Sequence, residues 1–344
     1  MREQKLSRHQ IDVLVGSAIA APSMHNTQPW RFVINGPDIE VFLDRSRALP
    51  AEDPTGRALL IAAGAAVFNL RCAAAALGFD SWYRLAPAPE EPDLVARIIV
   101  APTATPDPDL AALHPQVSRR HTSREPGRPA ALTAEARDSL IHAALSEGAD
   151  LSWLAPQGAQ DALRSGATAL LHGWADHART AERARWIGGE RKEDGIPISA
   201  LGPRPTVFPP PVRDLGAGLP GRGRSRKTFE DDPVLAVLST AADGAVDRLV
   251  AGMALERVLL TVTQNDVRAS FLNQALEYDD PRSAVQQLTG RPGFAQMVIR
   301  FSHSPITATT PRRTIADVLA ADSWNRSDGR ETGTKVTGAA STGP

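Results

Sequence analysis

An α+β chain in which one unit is used twice is what this sequence predicts, and three observations carry the expectation. Its 344 residues allow two units at roughly 150 residues per domain. Gly64-Ala65-Ala66-Val67 opens a helix-like segment ending near Phe79, and Gly252-Met253-Ala254-Leu255 opens another ending near Phe271; 252 minus 64 gives an offset of 188. A β-branched run follows each, ARIIV at 96–100 and QMVIRF at 296–301.

The elements follow in chain order. Residues 7–20 place Ile11, Leu14, Val15, Ala18 and Ile19 at helical spacing, and Ala21-Pro22-Ser23 stops the run. A loop over 22–29 leads to apolar runs at 30–34 and 39–43, which flank Asn35-Gly36-Pro37-Asp38 and read as a β-hairpin. The most hydrophobic window, 59–77, approaches membrane-span length, but Asn69 and Arg71 near its middle favour a buried central helix. Residues 133–145 repeat the early helix pattern and 150–154 (DLSWL) the strand after it. The stretch 176–232, rich in Gly, Pro and Arg and containing Pro209-Pro210-Pro211, is too long for an ordinary connection and reads as a lid. Residues 328–344 are Gly, Thr and Ser rich and predict a disordered tail. The chain therefore divides into a first half at 1–115 and a second half at 116–327 carrying the lid.

Composition narrows the function. A formal charge of -1 offers nothing to draw a polyanion or an anionic bilayer, so neither nucleic acid nor membrane is expected as a partner. Arginines nonetheless cluster at 119–124, 222–226 and 312–313, which suits a small anion. Cys72 is the only cysteine, which excludes an intramolecular disulfide and a cysteine metal cage and fits a reducing compartment. Residues 1–10 lack an apolar leader core, so a cytoplasmic protein is expected. Metal-binding H-E-x-x-H, G-x-S-x-G, P-loop and G-x-G-x-x-G patterns are all missing, and His172 and His177 read as surface or packing residues.

The densest chemistry lies in residues 21–32, APSMHNTQPWRF. This string resembles the flavin loop of the nitroreductase superfamily, P-S-x-x-N-x-Q-P-W: Pro22, Ser23, Asn26 and Gln28 match the pattern, and Met24 and His25 fill its variable positions. A flavin presents an edge of carbonyl, N3–H and carbonyl, and Ser23, Asn26 and Gln28 could supply its hydrogen-bond partners from one loop. Trp30 is expected to pack beneath it, and Trp174, Trp186 or Phe208 could cover the site. The string RRHTSR at 119–124 looks like the superfamily's R-x-S phosphate motif, with Arg120 as the arginine, Thr122 as the hydroxyl and Arg124 as a basic residue facing the ring. Guanidinium groups give charge-assisted, often bidentate bonds to phosphate oxygens. Arg312 and Arg313, after the 296–301 strand, resemble the basic pair that also reaches the phosphate.

These motifs occur once each. A nitroreductase homodimer builds two sites, each from the phosphate motif of one subunit and the loop of the other. Here the first half has the loop without an R-x-S motif near its start, and the second has RRHTSR without a second loop. The resemblance, closest to the Acg-like flavoproteins and spanning about 8–320, implies a nitroreductase-like α+β fold whose two pseudo-symmetric halves mimic the homodimer. It further implies a monomer, one FMN and NADPH or NADH as reductant. The flavin would carry the chemistry, with no catalytic protein residue and no metal, and the acceptor would be nitroaromatic or quinone-like. A flavin-sequestering protein with a closed lid is the second reading, and a tailoring dehydrogenase of a biosynthetic intermediate the third.

Overall fold

The computed structural model describes residues 5–207, 214–216, 224–305 and 308–320; Phe208, the Pro209-Pro210-Pro211 run, Arg222, the side chain of Trp174 and the 328–344 tail lie outside the described residues. Helix α1 (Arg8–Ile19) is nucleated by a reciprocal cap: the Gln10 N–H donates to the Ser7 hydroxyl at 3.3 Å, and the Ser7 N–H donates to Gln10 Oε1 at 2.8 Å. Strands β1 (Trp30–Asn35) and β2 (Asp38–Leu43) pair antiparallel around Gly36-Pro37, with Gly36 at φ +61°. Helix α2 (Arg57–Ala76), β3 (Phe79–Leu85), β4 (Leu94–Pro102) and α3 (Pro108–Val117) follow. The antiparallel sheet runs β1-β2-β4-β3, and its inward residues, Trp30, Phe32, Ile39, Val41 and Ile98, pack on α1 and α2. Among the described residues α2 is the one helix long and apolar enough to cross a membrane, and 83% of its apolar window is buried inside the protein.

The second half contains β5 (Arg128–Pro129), α4 (Ala134–Leu145), β6 (Asp150–Trp153), α5 (Pro156–Ala175), α6 (His177–Trp186), β7 (Arg204–Pro205) and β8 (Arg226–Lys227). Then come β9 (Val234–Thr240), α7 (Ala245–Gln264), β10 (Arg268–Phe271), α8 (Asp279–Gln287), β11 (Phe294–His303) and α9 (Ile315–Val318). Its main sheet runs β6-β9-β11-β10. By order of appearance this is first, second, fourth, third, the same arrangement as in the first sheet. The expected boundary at 115 falls inside α3, a helix that packs on both α2 and α7.

One connection sets the halves apart. Two residues join β1 to β2, whereas the counterpart link from β6 to β9 occupies 154–233. It begins before Asp176, because α5 is a second cover for the sheet: Leu154, Ala159 and Ala162 pack against Leu235, Val237 and Val298. From Asp176 onward the chain crosses toward the first half.

The repeated glycine segments need correction. Gly64 and Gly252 lie within their helices, which start at Arg57 and Ala245, again 188 apart, and each helix is 20 residues long. Phe79 and Phe271 belong to the strands that follow, so the continuous apolar run had blurred helix into strand. A Cβ built on Gly64 would stand 2.1 Å from the Leu249 carbonyl oxygen, and one on Gly252 would stand 2.0 Å from that of Ile61. The two contacts are reciprocal, since 61 and 249 are also 188 apart. The α2–α7 crossing thus relates the halves, and it is close enough that only glycine fits.

Candidate functional site

One cavity of about 260 Å³ lies beside the α2–α7 crossing, lined by both halves. That volume stands near the lower end of ordinary ligand pockets, roughly 300–1,000 Å³. Pro22, Ser23, Met24, His25, Asn26, Arg120, Thr122, Arg124 and Arg312 line it; Gln28 and Arg313 do not.

The loop after α1 is tightly wound. The Gln28 N–H donates to the Ser23 hydroxyl at 3.0 Å, and His25, Asn26 and Gln28 adopt φ of 52°, 57° and 52°. Left-handed backbone costs a non-glycine residue on the order of 1 kcal/mol, so three in one loop persist only because their surroundings hold them. The side chains show how. Asn26 Nδ2 donates to the carbonyls of Gly195 (3.0 Å) and Pro311 (2.9 Å), while its Oδ1 accepts from Arg312 (3.0 Å). Gln28, fully buried, donates to the Glu193 carbonyl and accepts from the Arg313 N–H, both at 2.8 Å. The amides expected to face a flavin edge are therefore used to clamp lid and C-terminal arm onto the loop. Trp30 is fully buried in the core below.

RRHTSR lies along the edge of the second sheet, where Thr122 bridges Ala269 and the Ser123 N–H donates to the Ala269 carbonyl at 3.0 Å. That extended path gives alternate residues a common face, which is why Arg120, Thr122 and Arg124 reach the cavity together. Arg119 instead pairs at the surface with Asp266. Beyond β11 the chain returns to the first sheet, where the Ala320 N–H donates to the Phe32 carbonyl at 2.9 Å, and this arm delivers Arg312. Arg120 and Arg312 both donate to the Ala20 carbonyl, at 2.8 and 3.1 Å. Arg313 points elsewhere, 3.5 Å from Asp44.

The corner is short of negative charge. Arg120 Nε lies 3.4 Å from Glu256, a fully buried carboxylate on α7, and the Nε atoms of Arg120 and Arg312 have no hydrogen-bond partner among the described residues. Burial and then the neighbouring Arg120 push the Arg312 guanidinium down to about 9. Burial likewise pushes the half-buried Arg124 down to about 10, and its Nη1 donates to the Ala200 carbonyl at 3.1 Å. Burial raises Glu256, Arg120 lowers it, and the net direction is upward. Arg120 and Arg312 thus share one carboxylate, Glu256, and their orphaned donors fit a phosphate.

His121, unremarked in the sequence, lines the same corner. Burial, then the charges of Arg120, Arg312 and Arg268, push it down to about 4, so it is neutral at pH 7. Binding of inorganic phosphate or a phosphate monoester should raise that value toward 6.5 by cancelling the arginines, and an NMR titration of the His121 ring with and without ligand checks it. No shift on saturation would mean that the anion binds elsewhere.

The opposite wall is ionic but internally balanced. Two Arg282 nitrogens donate to Asp243 at 2.7 Å each, and Arg248 adds a third bond at 3.1 Å. Burial opposes ionisation of Asp243, yet the bonds from Arg282, Arg248 and Gln296 outweigh it and hold its carboxyl well below the usual range. Arg57, pushed down to about 10 by burial and then by Arg282, donates to the Gln296 carbonyl. Sequence reasoning missed this wall because its members lie far apart in the chain.

The lid is fastened at several points. Arg47 pairs with Asp194 and stacks over the Trp186 ring at 5.2 Å. Glu182 on α6 accepts from the N–H groups of Ala51 (3.1 Å) and Glu52 (2.8 Å), and Arg183 donates to Glu52. Trp186 packs with Ile187, Ile196, Ala200 and Leu201 in a small lid core; Ile196 and Leu201 line the cavity and Trp186 does not. Gly195, at φ +70°, lies so near the Trp186 carbonyl that a Cβ would collide with it.

A two-sheet α+β protein with an arginine-lined cavity beside the α2–α7 crossing is the class that fold and site define. In sequence the chain is 31% identical over 316 residues, 88% of each protein, to the Mycobacterium tuberculosis protein named "Putative NAD(P)H nitroreductase Rv3131". Two others from that organism are "Putative NAD(P)H nitroreductase acg", 27% identical over 93% of this chain and 98% of that one, and "Uncharacterized protein Rv3127", 28% identical over 88% and 90%. This chain belongs to the nitroreductase-like family of these mycobacterial proteins. No family model matches it. Among solved structures, a nitroreductase with bound FMN from Bacteroides fragilis aligns at a TM-score of 0.36 and 12% identity, covering 59% of this chain and 93% of that one, a likeness too loose to argue from.

Proposed function

We propose that the chain binds one FMN across the cavity and acts as an NAD(P)H-dependent oxidoreductase of the nitroreductase type, with a nitroaromatic or quinone-like compound as acceptor. The observation that carries this reading is the cationic corner, where Arg120, Arg124 and Arg312 line one cavity with Thr122 and the Nε donors of Arg120 and Arg312 are left without a hydrogen bond among the described residues. A phosphate monoester supplies the two negative charges that the corner lacks. Arg124, beside the lid, is positioned to stabilise negative charge at the pyrimidine end of a ring. When bound, FMN supplies hydride transfer; the chain's own residues hold the phosphate, exclude water with the lid and tune the ring. The names of the relatives support the reductant and the reaction type.

One site per chain follows from the parts. The loop comes from the first half, while RRHTSR and Arg312 come from the second. The turn after α4, which stands where the 21–29 loop stands after α1, spans only 146–149, and its Glu147 is bound by Arg71 and Arg257. The halves already bury the α2–α7 surface against each other, so the protein is a cytoplasmic monomer in this reading. Flavin quantification, light scattering and anaerobic stopped-flow with NADPH and NADH test it. One FMN per monomer, bleached rapidly by a nicotinamide, is expected; protein purified without stoichiometric FMN would sink the reading.

The lid fastening favours flavin sequestration as the second reading. Arg47→Ala removes the pair with Asp194 and is expected to speed both FMN release and nicotinamide-driven bleaching about tenfold, equivalent to about 1.4 kcal/mol of partly exposed ion pairing and hydrogen bonding. Dithionite bleaching without nicotinamide bleaching in the parent, restored by this substitution, would select sequestration.

A further inference from the structure

We propose that His25 is the acid that protonates the electron acceptor, with Glu52 and Arg183 as the residues that position it. The inference rests on the flavin-dependent reading above, and it assigns a role to a buried ionisable group which that reading leaves idle.

His25 lines the cavity and is buried, and its Nε2 is hydrogen-bonded to Glu52, whose side chain is also buried. Arg183 Nε donates to the other Glu52 oxygen at 2.9 Å, and Glu182 fixes the Glu52 backbone from the same helix. An arginine bonded to Glu52 keeps it a carboxylate, and the carboxylate fixes the ring so that Nε2 carries a hydrogen. No hydrogen bond to the second ring nitrogen, Nδ1, is found among the described residues. A cavity-lining histidine oriented on one nitrogen by a carboxylate, with the other free of protein hydrogen bonds among the described residues, has the arrangement of a general acid.

Other charges around the turn are already committed. On α6, Arg179 pairs with Glu277 at 2.7 Å and Glu182 accepts backbone N–H groups; on α2, Arg57 donates to the Gln296 carbonyl; on the C-terminal arm, Arg312 donates to Asn26. Glu52 is therefore the charged group in contact with the ring. The backbone adds a second observation. His25 sits at φ 52° inside a kinked turn that packs against α6, a left-handed conformation that its surroundings hold.

The chemistry asks for such a group. A quinone reduced to a hydroquinone gains one hydride, carrying both electrons, at one oxygen-bearing end and one proton at the other oxygen. The hydride derives from NAD(P)H through FMN. The proton leaves Nδ1 of the His25 imidazolium, which becomes neutral imidazole and is recharged from solvent. An acceptor that takes electrons alone has no use for it.

The test compares FMN-loaded wild type and His25→Gln, reduced anaerobically and then reoxidised by benzoquinone or by ferricyanide. Glutamine can still donate to Glu52. Loss of the acid should slow quinone reduction by about 100-fold and change ferricyanide reduction by less than about threefold. Equal losses with both acceptors, or an unchanged quinone rate, would overturn the proposal. A second readout needs no turnover: in the flavin-free protein the neutral His25 ring should carry its hydrogen on Nε2, read by 15N NMR, and in Glu52→Gln that preference for one tautomer should be lost. A neutral ring with its hydrogen on Nδ1 in the wild type would equally overturn it. Wild type devoid of FMN would instead defeat the flavin reading itself.

Discussion

Gly64→Ala and Gly252→Ala are each expected to destabilise the protein by about 3 kcal/mol or more, read by chemical denaturation. In an ordinary helix this change is favourable by up to about 1 kcal/mol. Here each new methyl would meet a backbone carbonyl of the facing helix, at 2.1 and 2.0 Å, and a carbonyl cannot rotate aside as a side chain can. Relief requires α2 and α7 to move apart, which loosens contacts of Leu249, Met253 and Leu260 with the first core. Gly166→Ala in α5 supplies the control, because a Cβ there meets nothing within 4 Å, and it should be neutral or mildly stabilising. If the crossing glycines behave like Gly166, the helices are not in contact as described. Because both variants act through one contact pair, their effects should fall short of additive when combined.

Arg120→Ala is expected to weaken FMN binding by about 100-fold or more, through loss of a charge-assisted phosphate partner. The same change leaves Glu256 buried without its 3.4 Å counter-charge, at an expected stability loss of about 3–5 kcal/mol. Weak binding could then reflect a damaged fold, and the double variant Arg120→Ala with Glu256→Gln separates the two. Neutralising residue 256 should recover most of the stability and none of the affinity. Fluorescence titration with FMN and a denaturant melt report both quantities. Recovery of affinity along with stability would mean that Arg120 serves the fold and not the phosphate. Glu256→Gln alone should favour anion binding, since it removes the carboxylate that competes for Arg120 and Arg312.

Much of this architecture is legible in the sequence, because it is local. Ser7 and Gln10 cap α1 through residues three apart, the hairpin turns at a Gly-Pro pair, and the apolar period of α2 predicts a buried helix despite Asn69, whose amide donates to the Ser17 carbonyl at 3.0 Å. The arginines at 120 and 124 are recognisable for a similar reason. In an extended segment Arg120, Thr122 and Arg124 share a face by alternation alone, so a short string suffices.

Tertiary structure decided the rest. Asn26 and Gln28 carry hydrogen-bonding groups that sequence offers to any ligand, yet their partners, Gly195, Pro311, Glu193 and Arg313, are brought to them only by the lid and the C-terminal arm. His25, Glu52 and Arg183 form one buried chain of contacts across three separate elements, and no spacing announces it. The glycines at the helix crossing were visible as a repeat, but their meaning is a distance between two backbones. Periodicity and capping are properties of neighbouring residues and can be read along the chain; which polar group meets which, and which is left for a ligand, depends on contacts between segments distant in the chain, from 27 residues for His25 and Glu52 to 285 for Asn26 and Pro311.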